Sequence, residues 1–172
     1  MSIRNLIGKV VQEWPGYKRL GKTDKNALAY DLVVNKFPEE LKRVSQNTDY
    51  LLFQGSTGAG FITFAPWIAT FDTRTTTSAT SGYYVVYLFS IDFKRLYLEL
   101  GFGLTQFTEH FKPRAKAYEK IRSAAKVLQQ FHEDKLRLLF EPVLYENISL
   151  GPIDLAAQSN HELHLGYQQS PI

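Results

Sequence analysis

Four short runs of aromatic and β-branched residues follow one another in the middle of the chain, separated by residues that favour turns. They cover residues 50–53, 61–71, 83–91 and 96–100. Runs of this length and composition are typical of β-strands. Apolar residues at helical spacing stand before and after this block. The sequence therefore predicts a single α+β domain with a central, mainly antiparallel and strongly curved sheet flanked by helices.

Two helices are predicted ahead of the strands. Apolar residues recur at helical spacing over residues 3–14, and we expect this helix to stop at Pro15. A second helix is predicted from about Asn26 to Val44. We expect Pro38 to split or kink it, because proline removes a backbone donor and disfavours a helical residue before it.

The last predicted strand has two different faces. Alternation along the strand separates Leu96, Leu98 and Leu100 on one face from Tyr97 and Glu99 on the other. We expect the leucine face to belong to the core and the face of Glu99 to be wetter.

The C-terminal part of the chain is predicted to be helical first and irregular later. A third helix is expected from about Pro113 onward, followed by short strand-like pieces between residues 136 and 165. The sequence ends at Ile172 without a predicted closing element. We therefore expect residues 1–172 to be one domain of a longer protein.

Composition excludes several classes of site. The sequence has no cysteine, which excludes a disulfide framework, a thiolate nucleophile and a cysteine-rich zinc site. Its histidines have no partner at a spacing typical of catalysis, so we expect no catalytic centre, no metal and no cofactor. No apolar run approaches the ~18 residues of a membrane span. From the lack of cysteine and of a membrane span, we expect a cytoplasmic protein. Its formal net charge of +3 is compatible with a nucleic-acid partner.

The polar loop between the second and third predicted strands is a candidate phosphate site. It carries one guanidinium and several hydroxyls, at Arg74, Thr75, Thr76, Thr77 and Ser78. Such groups hold phosphate oxygens in protein–DNA complexes. The alternative is a solvated hairpin loop, and the composition of the loop does not decide between the two.

Lysines spaced by four form a second candidate surface. Lys112, Lys116 and Lys120 fall on the side of the third predicted helix that lies opposite its apolar stripe. Together with Lys94 and Arg95, they are suited to follow a DNA backbone. The alternative for the helix is again a solvated face.

Trp67, Tyr84 and Leu88 are candidates for a slot that accepts a flat ring. Ala65 and Ala69 leave space beside Trp67, and Tyr84 and Leu88 share one face of the next strand. An extruded base needs flat stacking surfaces and a shaped apolar end. The alternative is that these side chains simply fill the core, as aromatic residues in strands usually do.

Several of these pieces together resemble a known family. The segments are Gly58-Ala59-Gly60, Pro66-Trp67, Gly82-Tyr83-Tyr84-Val85-Val86-Tyr87-Leu88-Phe89 and Asp92-Phe93-Lys94-Arg95-Leu96-Tyr97-Leu98. Their order and spacing closely resemble the McrB-type N-terminal DNA-binding domain family. The resemblance implies a domain that binds double-stranded DNA by flipping 5-methylcytosine or 5-hydroxymethylcytosine into a pocket. It also implies a type IV-like restriction system for phage defence, whose GTP-driven motor or nuclease lies outside this domain.

The resemblance assigns roles to individual residues. Trp67 matches the pocket tryptophan after proline, Tyr84 matches a pocket tyrosine, and Leu88 matches the aliphatic residue close to the base. We expect backbone amides near Gly60 to read the edge of the base. A further pocket aromatic of the family falls on Ala59 here, which leaves the lid of the pocket unassigned.

Two other classes of function remain as alternatives. One is a protein-interaction module with a structural aromatic core and no DNA binding. The other is a small-ligand or nucleotide-sensing enzyme domain, for which the sequence offers no catalytic pair.

Overall fold

A computed structural model describes the chain over residues 1–46, 48–90 and 92–124, together with residue 127. Within this part the chain is first helical, then forms four strands, and then becomes helical again. This order confirms the predicted α+β class. The short strand-like pieces predicted between residues 136 and 165 lie outside the described residues.

Helix α1, Ile3–Lys18, is longer than predicted. Its N-terminus is capped by Ser2, whose hydroxyl accepts a backbone hydrogen bond from the first turn at 3.3 Å. The expectation that the helix stops at Pro15 was wrong, because the helix continues through this residue. Tyr17 in the last turn is buried, and its ring centroid lies 5.4 Å from that of Trp14. Packing of this apolar face outweighs the local cost of the proline.

The second helical region is continuous but changes its winding. Helix α2, Leu28–Asp31, passes into a π-helical segment, Leu32–Lys36, and then into helix α3, Phe37–Val44. Pro38 lies in the first turn of α3 and lacks the N–H that a regular helix would use there. The widened turn just before it is a known way to accommodate such a gap. The predicted interruption at Pro38 therefore takes the form of a π turn.

The sheet is four-stranded, open and antiparallel throughout. Its strands are β1 (Leu51–Ser56), β2 (Trp67–Asp72), β3 (Tyr83–Phe89) and β4 (Leu96–Phe102). They lie side by side in chain order. This topology confirms the mainly antiparallel sheet. The strong curvature that we expected is not confirmed, since the sheet is neither closed nor strongly curled.

Both faces of the sheet carry buried side chains. Helices α1 to α3 cover one face and form with it the larger core cluster, which includes Leu6, Val10, Trp14, Leu32, Val33, Phe37, Ile68 and Phe89. The opposite face carries a second cluster, made of Ala69, Phe71, Tyr84, Val86 and Leu88, against which Trp67 and Tyr97 pack. Of the candidate pocket residues, Trp67, Tyr84 and Leu88 belong to this second face.

Strand β4 departs from the prediction at two residues, whereas Leu96 packs against the larger core as expected. Leu98 is 52% exposed, whereas Glu99 is 2% exposed. Glu99 pairs with Val86 across the ladder and therefore shares the face of the second cluster. The prediction that the face of Glu99 is wetter was wrong, because the large side chains of Phe71 and Tyr84 make this face apolar.

The chain becomes helical again after β4. Helix α4, Leu104–His110, was not predicted, and helical residues 114–124 follow it. The second of these confirms the helix expected from about Pro113. In the part of the chain that the structure describes, no helix is both long and apolar enough to cross a membrane.

Candidate functional site

The loop between β1 and β2, residues 57–66, needs both glycines of the sequence motif. Gly58 has a φ of 113°, and a Cβ there would lie 2.1 Å from Phe61 O, so no side chain fits. Gly60 has open space around it, but its φ of 83° favours glycine for the backbone alone. The residue between the two, Ala59, is exposed. The motif therefore sets the path of the loop.

Helix α1 and the segment after it hold this loop in place. Trp14 Nε1 donates a hydrogen bond to Phe64 O at 2.9 Å, and Lys18 Nζ donates to Ile62 O at 2.5 Å. Backbone hydrogen bonds join the same loop to residues 21–23. Because these bonds use groups of the loop backbone, they fix its position relative to the helix.

A cavity of about 550 Å³ lies between the loop, the end of α1 and the start of β2. The side chains that give it its chemistry are Phe61, Phe64, Trp67, Lys18, Ser56 and Thr63. Its volume falls in the range of small-ligand sites, roughly 300–1,000 Å³. It therefore offers flat apolar walls together with one cation and two hydroxyls.

The mouth of the cavity is unusually apolar. Phe61 is 71% exposed and Phe64 is 43% exposed. Lys18 Nζ lies 4.4 Å from the centroid of the Phe64 ring, which is a cation–π distance. Trp67 is half-buried at the inner wall. A flat ligand in this cavity would cover aromatic surface that now faces water.

Trp67 and Leu88 lie directly opposite each other on β2 and β3. Directly opposed side chains of an antiparallel pair are close enough to interact. Leu88 is 3% exposed and belongs to the second apolar cluster, against which Trp67 packs. The structure thus brings Trp67 and Leu88 together, with Ala59 at the cavity and Gly60 next to it.

Tyr84 lies at the other end of the same sheet face. It is four residues from Leu88 along β3, which corresponds to about 13 Å. Its ring centroid is 5.0 Å from that of Phe71, and its hydroxyl donates to Ala79 O at 3.0 Å. The structure therefore does not bring Tyr84 to the cavity.

Arg74 begins the polar loop and is held by its neighbours. Its guanidinium donates to both carboxylate oxygens of Asp72, at 2.5 to 3.2 Å, and lies 4.6 Å from the ring centroid of Tyr50. The hydrogen bonds from Arg74 are the main reason that the pKa of Asp72 falls to about 2. The Arg74 side chain is 66% exposed, so a phosphate can reach it, but its charge is already compensated.

The hydroxyls of the polar loop differ in their availability. Thr76 is 8% exposed, and its hydroxyl donates to Ser78 O and accepts from Ser78 N, both at 3.1 Å. Thr75 and Thr77 are exposed. This loop follows the last residue of β2, whereas Trp67 is the first residue of that strand. The loop and the cavity are therefore at opposite ends of β2, about 16 Å apart.

The remaining predicted cations lie on two other surfaces. Lys94 and Arg95 are in the turn from β3 to β4, at the same end of the sheet as Trp67. Lys112, Lys116 and Lys120 are exposed, and Lys112 lies in the bend that precedes helical residues 114–124. They follow α4, which is joined to the polar loop by a hydrogen bond from Gln106 N to Thr80 O at 3.1 Å.

Glu99 is a buried group that the sequence analysis missed. Within the described residues, neither of its carboxylate oxygens has a hydrogen-bond partner. Burial in this apolar face raises its pKa to about 7. The sequence gave no signal for the burial of Glu99, because the alternation of leucine with other residues along β4 predicts that Glu99 faces water.

Phe61 and Phe64 had not been predicted as site residues from the sequence. The sequence predicted one long strand over residues 61–71, whereas β2 begins only at Trp67. The signal for the shorter strand was Pro66, because proline is confined to the start of a strand, an edge or a bulge. The residues ahead of it form the loop that carries the two exposed rings.

Comparison with known proteins identifies one family. The sequence model of the family described as MrcB-like, N-terminal domain, matches residues 9–172. Searches of curated proteins and of solved structures gave no match. The matched part includes the loop, the cavity and every predicted site residue, and it is the family that the sequence motifs resemble.

Proposed function

The chain belongs to the MrcB-like N-terminal domain family, and from this premise we propose that it recognises a modified cytosine by flipping the base into the cavity beside Trp67. Membership of the family makes it the DNA-binding domain of a modification-dependent restriction system. The proposed bases are 5-methylcytosine and 5-hydroxymethylcytosine. The proposed ligand is double-stranded DNA that contains one of them.

The aromatic lining of the cavity is the observation that carries this proposal. Trp67 provides a flat surface at the inner wall, and Phe61 provides an exposed ring at the mouth. A base that leaves the duplex loses its stacking on both sides and needs such surfaces in return. Phe61 is two residues after Ala59, and we propose that its ring covers the base, because the methyl group of Ala59 is too small to do so.

The free energies of base extrusion, stacking and methyl burial are consistent with a modest preference of the apolar walls for a modified over an unmodified cytosine. Extruding a base costs a few kcal/mol, and stacking on an aromatic side chain returns about 1–3 kcal/mol per base. A buried methyl group adds about 0.8 kcal/mol, which is a factor of a few in affinity. Leu88, which lies opposite Trp67, contributes to the shape of the slot but cannot account for tight selection by itself.

Polar groups of the cavity are proposed to read the hydrogen-bonding edge of the base. The candidates are the hydroxyls of Ser56 and Thr63 and the backbone amides near Gly60. A wrong base would leave such groups unpaired, which costs more than a missing methyl contact. This reading would separate cytosine from the other bases, while the apolar wall would sense the modification.

Backbone contacts are proposed for the cationic and hydroxyl groups identified in the sequence. The exposed side chains of Arg74, Thr75 and Thr77 stand at one end of the sheet, and Lys94 and Arg95 stand at the other. Lys112, Lys116 and Lys120 form a third exposed set. Thr76 and Ser78 support the loop internally through their mutual hydrogen bonds.

The domain is proposed to act as a recognition module. The chemistry would belong to an effector, either a nuclease domain or subunit or a GTP-driven motor that recruits one. We propose that the system works in the cytoplasm, where invading DNA meets it.

The test is fluorescence anisotropy with four duplexes that differ at one position. That position carries cytosine, 5-methylcytosine, 5-hydroxymethylcytosine or N6-methyladenine, and each titration is made at two salt concentrations. We expect tighter binding to one modified cytosine, and we expect the ratio to survive raised salt because base contacts are less salt-dependent than phosphate contacts. Equal affinity for all four duplexes would contradict the proposal.

A further inference from the structure

The segment between α1 and α2 concentrates positive charge next to the cavity. Residues 18–25, here called the basic arm, contain four cations, which are Lys18, Arg19, Lys22 and Lys25. Asp24 is the single acid of the arm, and its carboxylate accepts a hydrogen bond from Asn26 N at 2.9 Å. The arm is therefore a cationic surface whose one anion is engaged with the backbone.

The cations of the arm are available to a ligand. Arg19, Lys22 and Lys25 are exposed. In the described part of the chain, no salt bridge involves a cation of the basic arm; the salt bridges are made by the N-terminus and by other lysines and arginines. Arg74 differs in this respect, because it is paired with Asp72. The arm therefore carries uncompensated charge where Arg74 does not.

Backbone pairing places the arm at the mouth of the cavity. Lys22 and Phe61 form an isolated antiparallel bridge. On either side of it, Thr23 N donates to Gly60 O and Ile62 N donates to Gly21 O, both at 3.1 Å. Side chains that lie opposite each other in an antiparallel pair project to the same side. The side chains of Lys22 and Phe61 therefore leave the backbone on the same side.

We propose that the basic arm is the surface that binds the DNA phosphates flanking the extruded nucleotide. The extrusion and the identity of that nucleotide rest on the proposed function, whereas the contact between the arm and DNA phosphates is tested independently of them. Lys22 and Lys25 bind the flanking phosphates from the mouth of the cavity. Lys18, the one charged side chain that the described residues place in the cavity wall, is assigned to the phosphate of the extruded nucleotide itself.

This arrangement links backbone binding to the cavity. The hydrogen bonds between residues 21–23 and residues 60–62 make the arm and the glycine loop one unit. A phosphate held by Lys22 therefore also fixes the position of Phe61 over the base. Each phosphate that a lysine neutralises releases condensed counterions, so the contact is visible in the salt dependence of binding.

The test is the double variant Lys22→Gln/Lys25→Gln, measured by anisotropy on the unmodified and the 5-methylcytosine duplex over a range of salt concentrations. The matched control is Lys9→Gln/Lys42→Gln, which removes the same charge from two exposed positions on α1 and α3. Loss of two phosphate contacts should reduce the slope of log affinity against log salt by about 2, on both duplexes alike. The control should keep the wild-type slope, and Lys22→Arg/Lys25→Arg should restore it.

The outcomes separate this inference from the proposed function. An unchanged slope in the arm variant, or an equal decrease in the control, overturns the role of the arm even if the wild type prefers modified DNA. A lower salt slope in the arm variant, with the control unchanged, supports the role of the arm even if the wild type shows no base preference. Absence of salt-dependent DNA binding by the wild type overturns it as well.

Discussion

Trp67 and Leu88 lie opposite each other across the β2–β3 ladder, with Trp67 lining the cavity and Leu88 buried. Under the proposed function, the tryptophan ring contacts the base, and the leucine packs beside that ring within the second apolar cluster. A change at Leu88 would alter the depth of the slot, whereas a change at Trp67 would remove its wall. Tyr84, on the same face, packs on Phe71 instead.

Replacing Phe61 at the mouth of the cavity tests the proposal that its ring covers the extruded base. Phe61→Ala should leave the free energy of unfolding within about 0.5 kcal/mol of the wild type, because the side chain is largely in water. It should lower affinity for the preferred modified duplex by roughly tenfold, from the loss of one stacking contact. Leu28→Ala, at a position that is 53% exposed and on α2, is the control in both urea unfolding and anisotropy. Equal affinities of the two variants for modified DNA would contradict the role of Phe61.

The position of Tyr84 predicts a structural effect. Tyr84→Phe removes only the hydroxyl that donates to Ala79 O. The free energy of unfolding should fall by about 1 kcal/mol, the usual net value of such a bond. The ratio of affinities for modified and unmodified duplexes should not change. A changed ratio would mean that this hydroxyl reaches the base after all, as the sequence resemblance implies.

Releasing Arg74 from its carboxylate tests whether it contacts DNA. Asp72→Asn removes the charge that now compensates the guanidinium. If Arg74 binds phosphate, affinity should rise for every duplex, and the salt slope should become steeper by about 1. Glu39→Gln changes the net charge equally on helix α3 and is the control. No difference between the two variants would remove Arg74 from the interface.

Glu99 predicts a specific dependence of stability on pH. Its pKa is about 7 in the folded protein, against 4.5 for an ordinary glutamate. Between these values the folded state keeps the proton that the unfolded state releases, so stability falls as pH rises through this window and then levels off above pH 7. The difference corresponds to roughly 3 kcal/mol.

Urea unfolding between pH 4.5 and pH 7.5 checks this dependence. Glu99→Gln, which cannot ionise, should lose the fall in stability that the wild type shows over this range. Glu39→Gln, at a side chain that is 67% exposed, should keep it. If all three proteins show the same profile, Glu99 is not the buried acid that the structure describes.

The sequence predicted the class and the order of elements because both depend on local periodicity. It misplaced the end of α1, where the packing of Tyr17 on Trp14 carries the helix past Pro15. It also assigned Glu99 to solvent, because alternation cannot tell which face of a strand other elements will cover. Both errors involve contacts that form only in the tertiary fold, and local sequence patterns do not predict such contacts.

The candidate site was predicted only in part for a similar reason. Trp67 was identified from its own neighbours, since Pro66 and the flanking alanines are local features. The sequence shows Lys22 in a basic, exposed segment, but it does not show that this segment lies beside Phe61, because that neighbourhood comes from the bridge that joins two segments far apart in sequence. Tyr84 was grouped with Leu88 because the two residues share one face of a strand. This spacing does not show that Tyr84, four residues along the strand from Leu88, lies too far from the cavity to line it.

The most direct test of the proposed function is whether the modified base leaves the duplex when the protein binds. A duplex with 2-aminopurine beside 5-methylcytosine reports this, because 2-aminopurine fluoresces more strongly when its stacking neighbour is removed. We predict a clear increase in fluorescence when the wild-type protein binds, little increase with unmodified cytosine, and little with Trp67→Ala despite retained salt-dependent binding. Stacking on one ring is worth about 1–3 kcal/mol, so Trp67→Phe should keep most of the signal. An equal increase with the wild type and a folded Trp67→Ala would contradict the account.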